Sequence, residues 1–405
     1  MAVRAMGAAQ IPDHVPRELV RSLGLTNGAE FLAQPYDYMA RIARTEPPVI
    51  YDVSETNGNA WALLRHEDAF FALRHPEFFS TEDATPFPRD PSFPFQFIPI
   101  EIDPPEHRKY RAILDPVFSP QGVLKLEKSI RALTNGLIDE FIAKGQCEFT
   151  EVFGRPLPVC VFLDLMGLPQ DMRDEFVTWA VGLLHSESRE VAGQSMRSIT
   201  AYLKQVIAEK TLTPDDGVIS RIVHSEVDGA KMSELEIFGF VIFLFIAGLD
   251  TVFATMNNIW LWLAQNPGRR HEIIAKPDNM ASVVEELLRV FTVTFSGRTV
   301  RKDVEIRGVK MKKGDKLTSI LPVCNLDAEV FPDPTRVDFT RPRKPILAFA
   351  GGVHSCMGAH LARLEIRIGI EEWLKRIPEF SLKPGAEISY WPGGVIGPKR
   401  VDLVW

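Results

Sequence analysis

Four short stretches of the chain combine residue types at spacings that could do chemistry. In Phe349-Ala350-Gly351-Gly352-Val353-His354-Ser355-Cys356-Met357-Gly358 a lone cysteine sits in a glycine-rich loop that runs into a helical pattern. A thiol near a helix N-terminus meets unpaired N–H groups and the positive end of the helix dipole. Such a setting lowers its pKa and favours the thiolate, the form that acts as nucleophile or metal ligand. In Ala247-Gly248-Leu249-Asp250-Thr251 a carboxylic acid adjoins an alcohol and a glycine inside a long apolar run. Glycine costs a helix about 1 kcal/mol against alanine, and a buried carboxylate costs more unless paired. The combination reads either as proton-handling equipment or as a helix irregularity with a satisfied aspartate. His107 and Arg111, four apart, face the same way on a helix and could grip a carboxylate or form a solvated basic face. Glu286 and Arg289, three apart, can pair as on many ordinary helices.

These groups need elements to hold them. Ser233-Glu234-Leu235-Glu236 is a capping-box pattern, and the helix it opens should run to about Gln265, before Asn266-Pro267-Gly268. At 1.5 Å per residue it is about 48 Å long. From Phe238 to Ala264 its single charged residue is Asp250. A membrane span is the alternative, but Asp250, Asn257 and Asn258 fall mid-segment, where polar groups are expensive in lipid. A helix apolar all round, through the middle of a soluble protein, fits better. Helices at 278–290 and 357–376 should carry the Glu286/Arg289 pair and follow Cys356. Others are expected at 36–45, 66–74, from about 105 onward, 121–144, 155–166, 171–187, 190–210 and 215–226. Strands are expected at 49–53 and 60–64, joined by Glu55-Thr56-Asn57-Gly58, and between 298 and 320. A short helix at 323–330 and a C-terminal hairpin complete the pattern. The proline-rich run 85–99 carries four phenylalanines and cannot form a regular helix or central strand. Such a loop could wall an apolar pocket or tuck its rings onto the core. The expected fold is mainly α with small β-sheets, one domain over 1–405 with β-richer parts at about 36–80 and 298–320.

The 405 residues are 45% hydrophobic, enough for a sizeable core, and 46 basic against 53 acidic residues give a net charge of −7. That balance argues against a nucleic-acid binder, which needs basic clusters. Cys147, Cys160, Cys324 and Cys356 form no CxxC pair, so no structural zinc site is expected. Between Met1 and Val15 there is no apolar secretory segment, and a reducing, cytoplasmic location is the expectation.

In order along the chain, AGxDT (Ala247, Gly248, Asp250, Thr251), ExxR (Glu286, Arg289) and FxxGxHxCxG (Phe349, Gly352, His354, Cys356, Gly358), with His107 and Arg111 upstream, resemble the cytochromes P-450. These are the haem-thiolate monooxygenases, and the likeness covers essentially the whole chain. Gly248-Leu249-Asp250-Thr251-Val252, Phe97-Ile98-Pro99 and the ending Leu403-Val404-Trp405 look most like the bacterial camphor 5-monooxygenase group. The resemblance implies heme b between the long helix and the Cys-loop helix. Cys356 would be the axial thiolate of the iron, pushing electron density that favours O–O cleavage. His107, Arg111, Arg298 and His354 would hold the propionates in charge-assisted hydrogen bonds. Phe349 would pack under the loop, and glycines such as Gly358 would let N–H groups approach the sulfur. The other three cysteines would be core residues, and Glu286 and Arg289 structural.

Thr251 would hydrogen-bond dioxygen at the haem, Asp250 would relay protons, and Gly248 would leave room for oxygen in the helix groove. Phe95, Phe243, Ile246, Ala247, Thr294, Phe295, Val395 and Ile396 would surround a compact apolar cavity. Phe95 stands where the camphor enzyme offers a tyrosine hydroxyl to a ketone, and Ser296 where it has an aspartate near a propionate. The expected substrate is therefore a terpenoid or norisoprenoid such as an ionone, with other monoterpenoids and small aromatics behind, and Thr294 as a possible donor. Electrons are expected from a [2Fe-2S] ferredoxin, recharged from NADH by a ferredoxin reductase. It would dock on Arg108, Lys109, Arg341, Arg343, Lys344 and Arg363. The alternatives are a peroxide-driven haem-thiolate hydroxylase, against which Asp250-Thr251 speaks, and a non-catalytic haem sensor or ligand-binding protein.

Overall fold

The longest element is the helix Glu234–Gln265, and the sequence accounts for both its ends. The Ser233 hydroxyl accepts from the Glu236 N–H while the Glu236 carboxylate accepts from the Ser233 N–H, a reciprocal capping box. Asn266 leaves helical geometry, and Pro267 opens the next helix, Pro267–Ala275. The helix is unbroken through Gly248. It is long and apolar enough to cross a membrane, but 67% of its apolar window is buried inside the fold. Its amides explain why polar groups are tolerated there. Asn258 Nδ2 donates to the Ile396 carbonyl at 2.8 Å, and Asn257 Nδ2 to Thr150 Oγ1 at 3.2 Å and the Pro398 carbonyl at 3.4 Å. Both asparagines thus pin the C-terminal segment to the central helix.

The computed structural model describes residues 11–53, 59–82, 84, 94–186 and 188–405. The expected turn at 55–58 and the run 85–93 lie outside them. Around the central helix pack Pro156–Met166, Arg173–Leu184, Arg189–Leu212 and Val218–Val223 on one side and Ala359–Arg376 on the other. The stretch expected as one helix over 121–144 is three pieces: Pro120–Leu124, Glu127–Asp139 and a tight turn Ile142–Lys144 ended by left-handed Gly145. Their apolar residues face one core, so the spacing survives the breaks. The short helix expected at 323–330 is instead Leu321–Cys324, because Pro322 begins a helix as readily as it ends a strand.

The main sheet has six strands in the order Val20–Arg21, Val49–Asp52, Ala60–Leu63, Lys316–Ser319, Ser296–Val300 and Phe79–Ser80. Lys316–Ser319 runs parallel to Ala60–Leu63 and antiparallel to Ser296–Val300, which places Arg298 opposite Leu317. The C-terminal strands Ser381–Leu382 and Asp402–Val404 pair as the expected hairpin and take Gln146–Glu148 as a third strand.

Candidate active site

The cysteine loop is shaped by its own backbone. The Cys356 N–H donates to the Phe349 carbonyl at 3.0 Å, closing the loop, and Gly352–His354 forms a single tight turn. Gly352 has φ +70°, and a Cβ there would lie 2.2 Å from the Leu73 carbonyl oxygen, so no other residue fits. The Phe349 ring lies under the guanidinium of Arg363 at 4.5 Å. The helix Ala359–Arg376 follows, with Gly358 at its N-cap.

The Cys356 side chain is solvent-accessible although protein atoms surround it on most sides, so it faces an interior space. The expected lowering of its pKa does not occur. Burial pushes the thiol up, and the Gly358 N–H and the Arg111 and Arg363 charges only partly offset it. A bound cation is what would convert such a thiol to thiolate. Among the described residues no group of three His, Cys, Asp or Glu side chains could hold a metal ion. A metal at Cys356 must therefore bring its other ligands with it, as a haem does.

On one side of this loop lies a cluster of basic side chains, of which Arg111 also pairs with Asp115 at 2.9 Å. His107, on the helix Glu106–Phe118, is 2% exposed, and neither ring nitrogen has a hydrogen-bond partner. Its ring meets that of His354 edge-on at 4.3 Å, and burial beside His354 and Arg111 pushes its pKa down to about 4. Arg298 is buried, bonded to Ser296 Oγ at 2.9 Å and to the Gly297 carbonyl at 2.6 Å, and burial pushes its pKa down to about 10. Arg111 donates to the Ser355 carbonyl at 2.8 Å, tying this cluster to the cysteine loop. His354 keeps Nδ1 unpartnered, while its Nε2 lies 3.2 Å from Thr81 Oγ1 and 3.9 Å from Asp103. Burial would raise the Asp103 carboxyl, but contacts from His354, Ser80 and Thr81 and the Arg301 charge hold it well below the usual range. Orphaned ring nitrogens and a buried guanidinium fit an anion with two carboxylates, as haem propionates provide. Sequence reasoning missed Asp103, which lies in a Pro-rich turn with no pattern of its own.

The central helix carries the opposite face. Its centre is packed on nearly all sides, but Phe243, Ala247, Gly248, Thr251 and Val252 remain accessible, a stripe at helical spacing. Thr251 Oγ1 donates to the Ala247 carbonyl at 3.3 Å. A Cβ at Gly248 would sit 2.6 Å from the Phe162 ring, so the glycine lets the helix Pro156–Met166 approach while staying partly accessible itself. Asp250 points to the packed side, where His185 meets it at 2.6 Å. No sequence signal marked His185, which lies 65 residues away.

Of the expected pocket residues, Phe243, Ala247, Thr294, Phe295 and Val395 are partly accessible. Thr294 and Val395 face each other in an antiparallel bridge, so two distant loops form one wall. Phe95 is buried, edge-on to Phe97 at 5.2 Å and Phe238 at 5.0 Å. Ile246 is buried in the same cluster. Ile396 is a correction: it is 1% exposed and packs into the main core, because its N–H is drawn to the Val293 carbonyl and its own carbonyl to Asn258. Glu286 and Arg289 lie apart from the site, in a buried network with Arg341 and the carbonyls of Asn325 and Pro334.

A lone thiol on a glycine-rich loop, an anion clamp beside it and a long helix with an acid–alcohol pair define the haem-thiolate class. A family model described as cytochrome P450 matches residues 273–389. The chain is 34% identical to a probable cytochrome P450 127A1 of Sinorhizobium fredii (strain NBRC 101917 / NGR234), covering 98% of this chain and 97% of that protein. It is 32% identical to a methyl-branched lipid omega-hydroxylase of Mycobacterium tuberculosis (strain ATCC 25618 / H37Rv), covering 86% and 84%. The solved structure of cytochrome P450 CYP101C1 superposes with a TM-score of 0.88 at 28% identity, over 98% of this chain and 100% of that one. The chain belongs to the cytochrome P450 family. It has the P450 fold and is a haem-thiolate monooxygenase whose cofactor is heme b with an axial cysteine thiolate. It uses O2, a hydrophobic substrate and redox partners.

Proposed function

We propose that this monooxygenase hydroxylates a compact hydrophobic substrate, a terpenoid or norisoprenoid of the ionone type, with the chain acting as one cytoplasmic domain and Cys356 as the axial ligand. The observation that carries the reading is the accessible stripe Phe243, Ala247, Thr251 on an otherwise packed helix, with Thr294, Phe295 and Val395 as the other accessible residues. That lining is apolar and aromatic, with two hydroxyls and no charge. It suits a molecule with a ring, few polar atoms and at most one acceptor. Phe95 offers no donor, so a substrate oxygen would turn to Thr294. When bound, haem supplies the activation of O2 that puts one oxygen atom into a C–H bond and the other into water.

The chain's own residues divide the remaining work. His107, Arg111, Arg298 and His354 would hold the propionates, and the Arg111 bond to Ser355 would make clamp and cysteine loop move together. The Thr251 hydroxyl, held by one long bond to Ala247, is free to be exchanged toward the chamber. Asp250 would supply protons. Electrons would come from a [2Fe-2S] ferredoxin recharged by an NADH-dependent reductase. Of the expected docking residues, Lys109, Arg341 and Arg363 are paired with Asp228, Glu286 and Glu285. Exposed Arg108, Arg343 and Lys344 would carry the contact, beside a cleft of about 520 Å³ that Arg343 and Lys344 help to line.

The test is a spin-state titration of the purified holoenzyme against terpenoids, ionones, small aromatics and long-chain fatty acids. Ionone-type compounds should give the largest low- to high-spin shift. A shift with long-chain acids alone would overturn the substrate class.

A further inference from the structure

Three tryptophans that the proposed chemistry leaves unused stand in a row from the central helix to the surface. Trp260 and Trp373 are 0% exposed, with ring centroids 5.9 Å apart and planes nearly perpendicular. Trp373 lies 6.2 Å from Trp405 in the same edge-on manner, and Trp405 is partly accessible. The Phe149 ring fills the angle, stacked on Trp260 at 5.0 Å and edge-on to Trp373 at 5.3 Å. The row begins where the two helices of the site converge. Trp260 follows Thr251 along the central helix by about 14 Å of axis, at 1.5 Å per residue. Gly369, on the helix that follows Cys356, lets its ring in: a Cβ there would lie 3.0 Å from the indole.

Packing accounts for the rings but not for their N–H groups. A buried indole usually finds an acceptor for its single donor. Trp260 Nε1 and Trp373 Nε1 are both buried with none among the described residues, and adjacent orphaned donors call for an explanation. Trp405 Nε1 donates to the Ile142 carbonyl at 3.2 Å, at a position that water reaches. The contrast has a redox consequence. An indole that loses an electron becomes a strong acid, and it settles as a neutral radical only where the proton can leave. At Trp260 and Trp373 the proton has no acceptor, so an electron vacancy there stays mobile. At Trp405 water can take the proton, so the vacancy is held at the surface.

We propose that Trp260, Trp373 and Trp405 form a one-electron route from the central helix to the surface, and that it gives the protein a second activity: reduction of hydrogen peroxide by phenols too large for the chamber. This rests on haem as the cofactor and not on the substrate proposed above. With haem bound, hydrogen peroxide is the oxidant, and it takes two electrons and two protons to become two waters. Each pass along the route supplies one of each. The electron leaves the Trp405 ring inward through Trp373 and Trp260, and the Trp405 N–H proton goes to water. A phenol then returns one electron and one proton to Trp405 and becomes a phenoxyl radical. Two passes consume one peroxide and two phenols.

The test mixes the ferric holoenzyme with hydrogen peroxide, without substrate, and freezes it within milliseconds for electron paramagnetic resonance. Wild type should show a neutral tryptophanyl radical, identified by its narrowing in protein grown on ring-deuterated tryptophan. Trp405→Tyr should replace it with a tyrosyl signal, a change that loss of packing cannot produce. Trp260→Phe and Trp373→Phe should lose it while the carbon monoxide spectrum shows haem still bound to the thiolate. Trp391→Phe, whose ring contacts His185, should keep it. A tryptophanyl signal unchanged in Trp405→Tyr, or only a tyrosyl signal in wild type, would overturn the route. The activity is read with a phenol tethered to a polyethylene glycol chain: its peroxide-dependent oxidation should be lost in Trp405→Phe, and an unchanged rate would overturn the activity. If Trp260→Phe fails to load haem, Trp405→Tyr still decides the route.

Discussion

Replacing Glu286 with glutamine tests how the cysteine-loop side of the molecule is held. Glu286 Oε1 accepts from Arg289 Nη2 at 2.7 Å, the Asp338 N–H at 2.9 Å and Arg341 Nε at 3.1 Å, and Oε2 accepts from Arg289 Nε at 2.9 Å. Arg289 then donates to the carbonyls of Asn325 and Pro334, both at 2.8 Å, so one carboxylate organises the segment that leads to the loop. Glutamine keeps the shape and one acceptor oxygen. Its NH2 group, however, would face a guanidinium N–H, and two cations would lose their counter-charge. With Arg289 1% exposed, the loss cannot be made up by water. Breaking a buried ion pair from one side costs about 3–5 kcal/mol, and the retained oxygen places the variant near the lower end, about 3 kcal/mol. Urea unfolding of the holoenzyme, followed by far-ultraviolet circular dichroism and by haem absorbance, reads this as a lower midpoint at unchanged slope. Arg41→Gln is the control. Its pair with Glu30 is about half exposed on both sides and should shift stability by less than about 1 kcal/mol. If Glu286→Gln cost no more than this control, the network would not be what holds the segment.

Two further predictions follow from crowding and from burial. Gly248→Ala brings a Cβ within 2.6 Å of the Phe162 ring, so overpacking of about 1–3 kcal/mol should outweigh the helix gain of about 1 kcal/mol; thermal unfolding should show a lower midpoint, restored by adding Phe162→Leu. The His107 imidazole takes a proton near pH 6.5 when unfolded but only near 4 when folded without haem, because burial beside His354 and Arg111 opposes the charge. Between those values the unfolded chain binds more protons, so this contribution to the stability of the haem-free protein is full above pH 6.5 and falls as pH drops toward 4. Unfolding midpoints at pH 7 and pH 5 should differ less in His107→Phe than in wild type, and an equal difference would refute the assignment.

The parts legible in the sequence were those written locally. The Ser233–Glu236 capping box and the glycines around Cys356 each declare their geometry within a few residues, and the central helix and closed loop follow from them. Helical periodicity reported that 121–144 is amphipathic but not that it breaks twice, because separate pieces packed on one core keep the same spacing. What a side chain faces is set by a neighbour far along the chain. Ile396 is turned into the core by Asn258, and Asp250 is turned from the accessible stripe toward His185. Neither partner leaves a trace in the local pattern.

Gly248 shows the same limit from the other direction. Sequence can report that a position must be small, but it cannot report in which direction the missing side chain would have pointed. Here that direction is toward Phe162, while Thr251, three residues on, remains partly accessible. Gly248 and Thr251 are neighbours one turn apart on the same helix, so close packing against Phe162 and a partly accessible hydroxyl adjoin each other. Asp250 stands between them in sequence and is buried against His185 at 2.6 Å. A substitution that empties this packing, such as Phe162→Ala, should therefore lower the thermal unfolding midpoint more than Val395→Ala at a partly accessible position, and equal shifts would refute the packing argument.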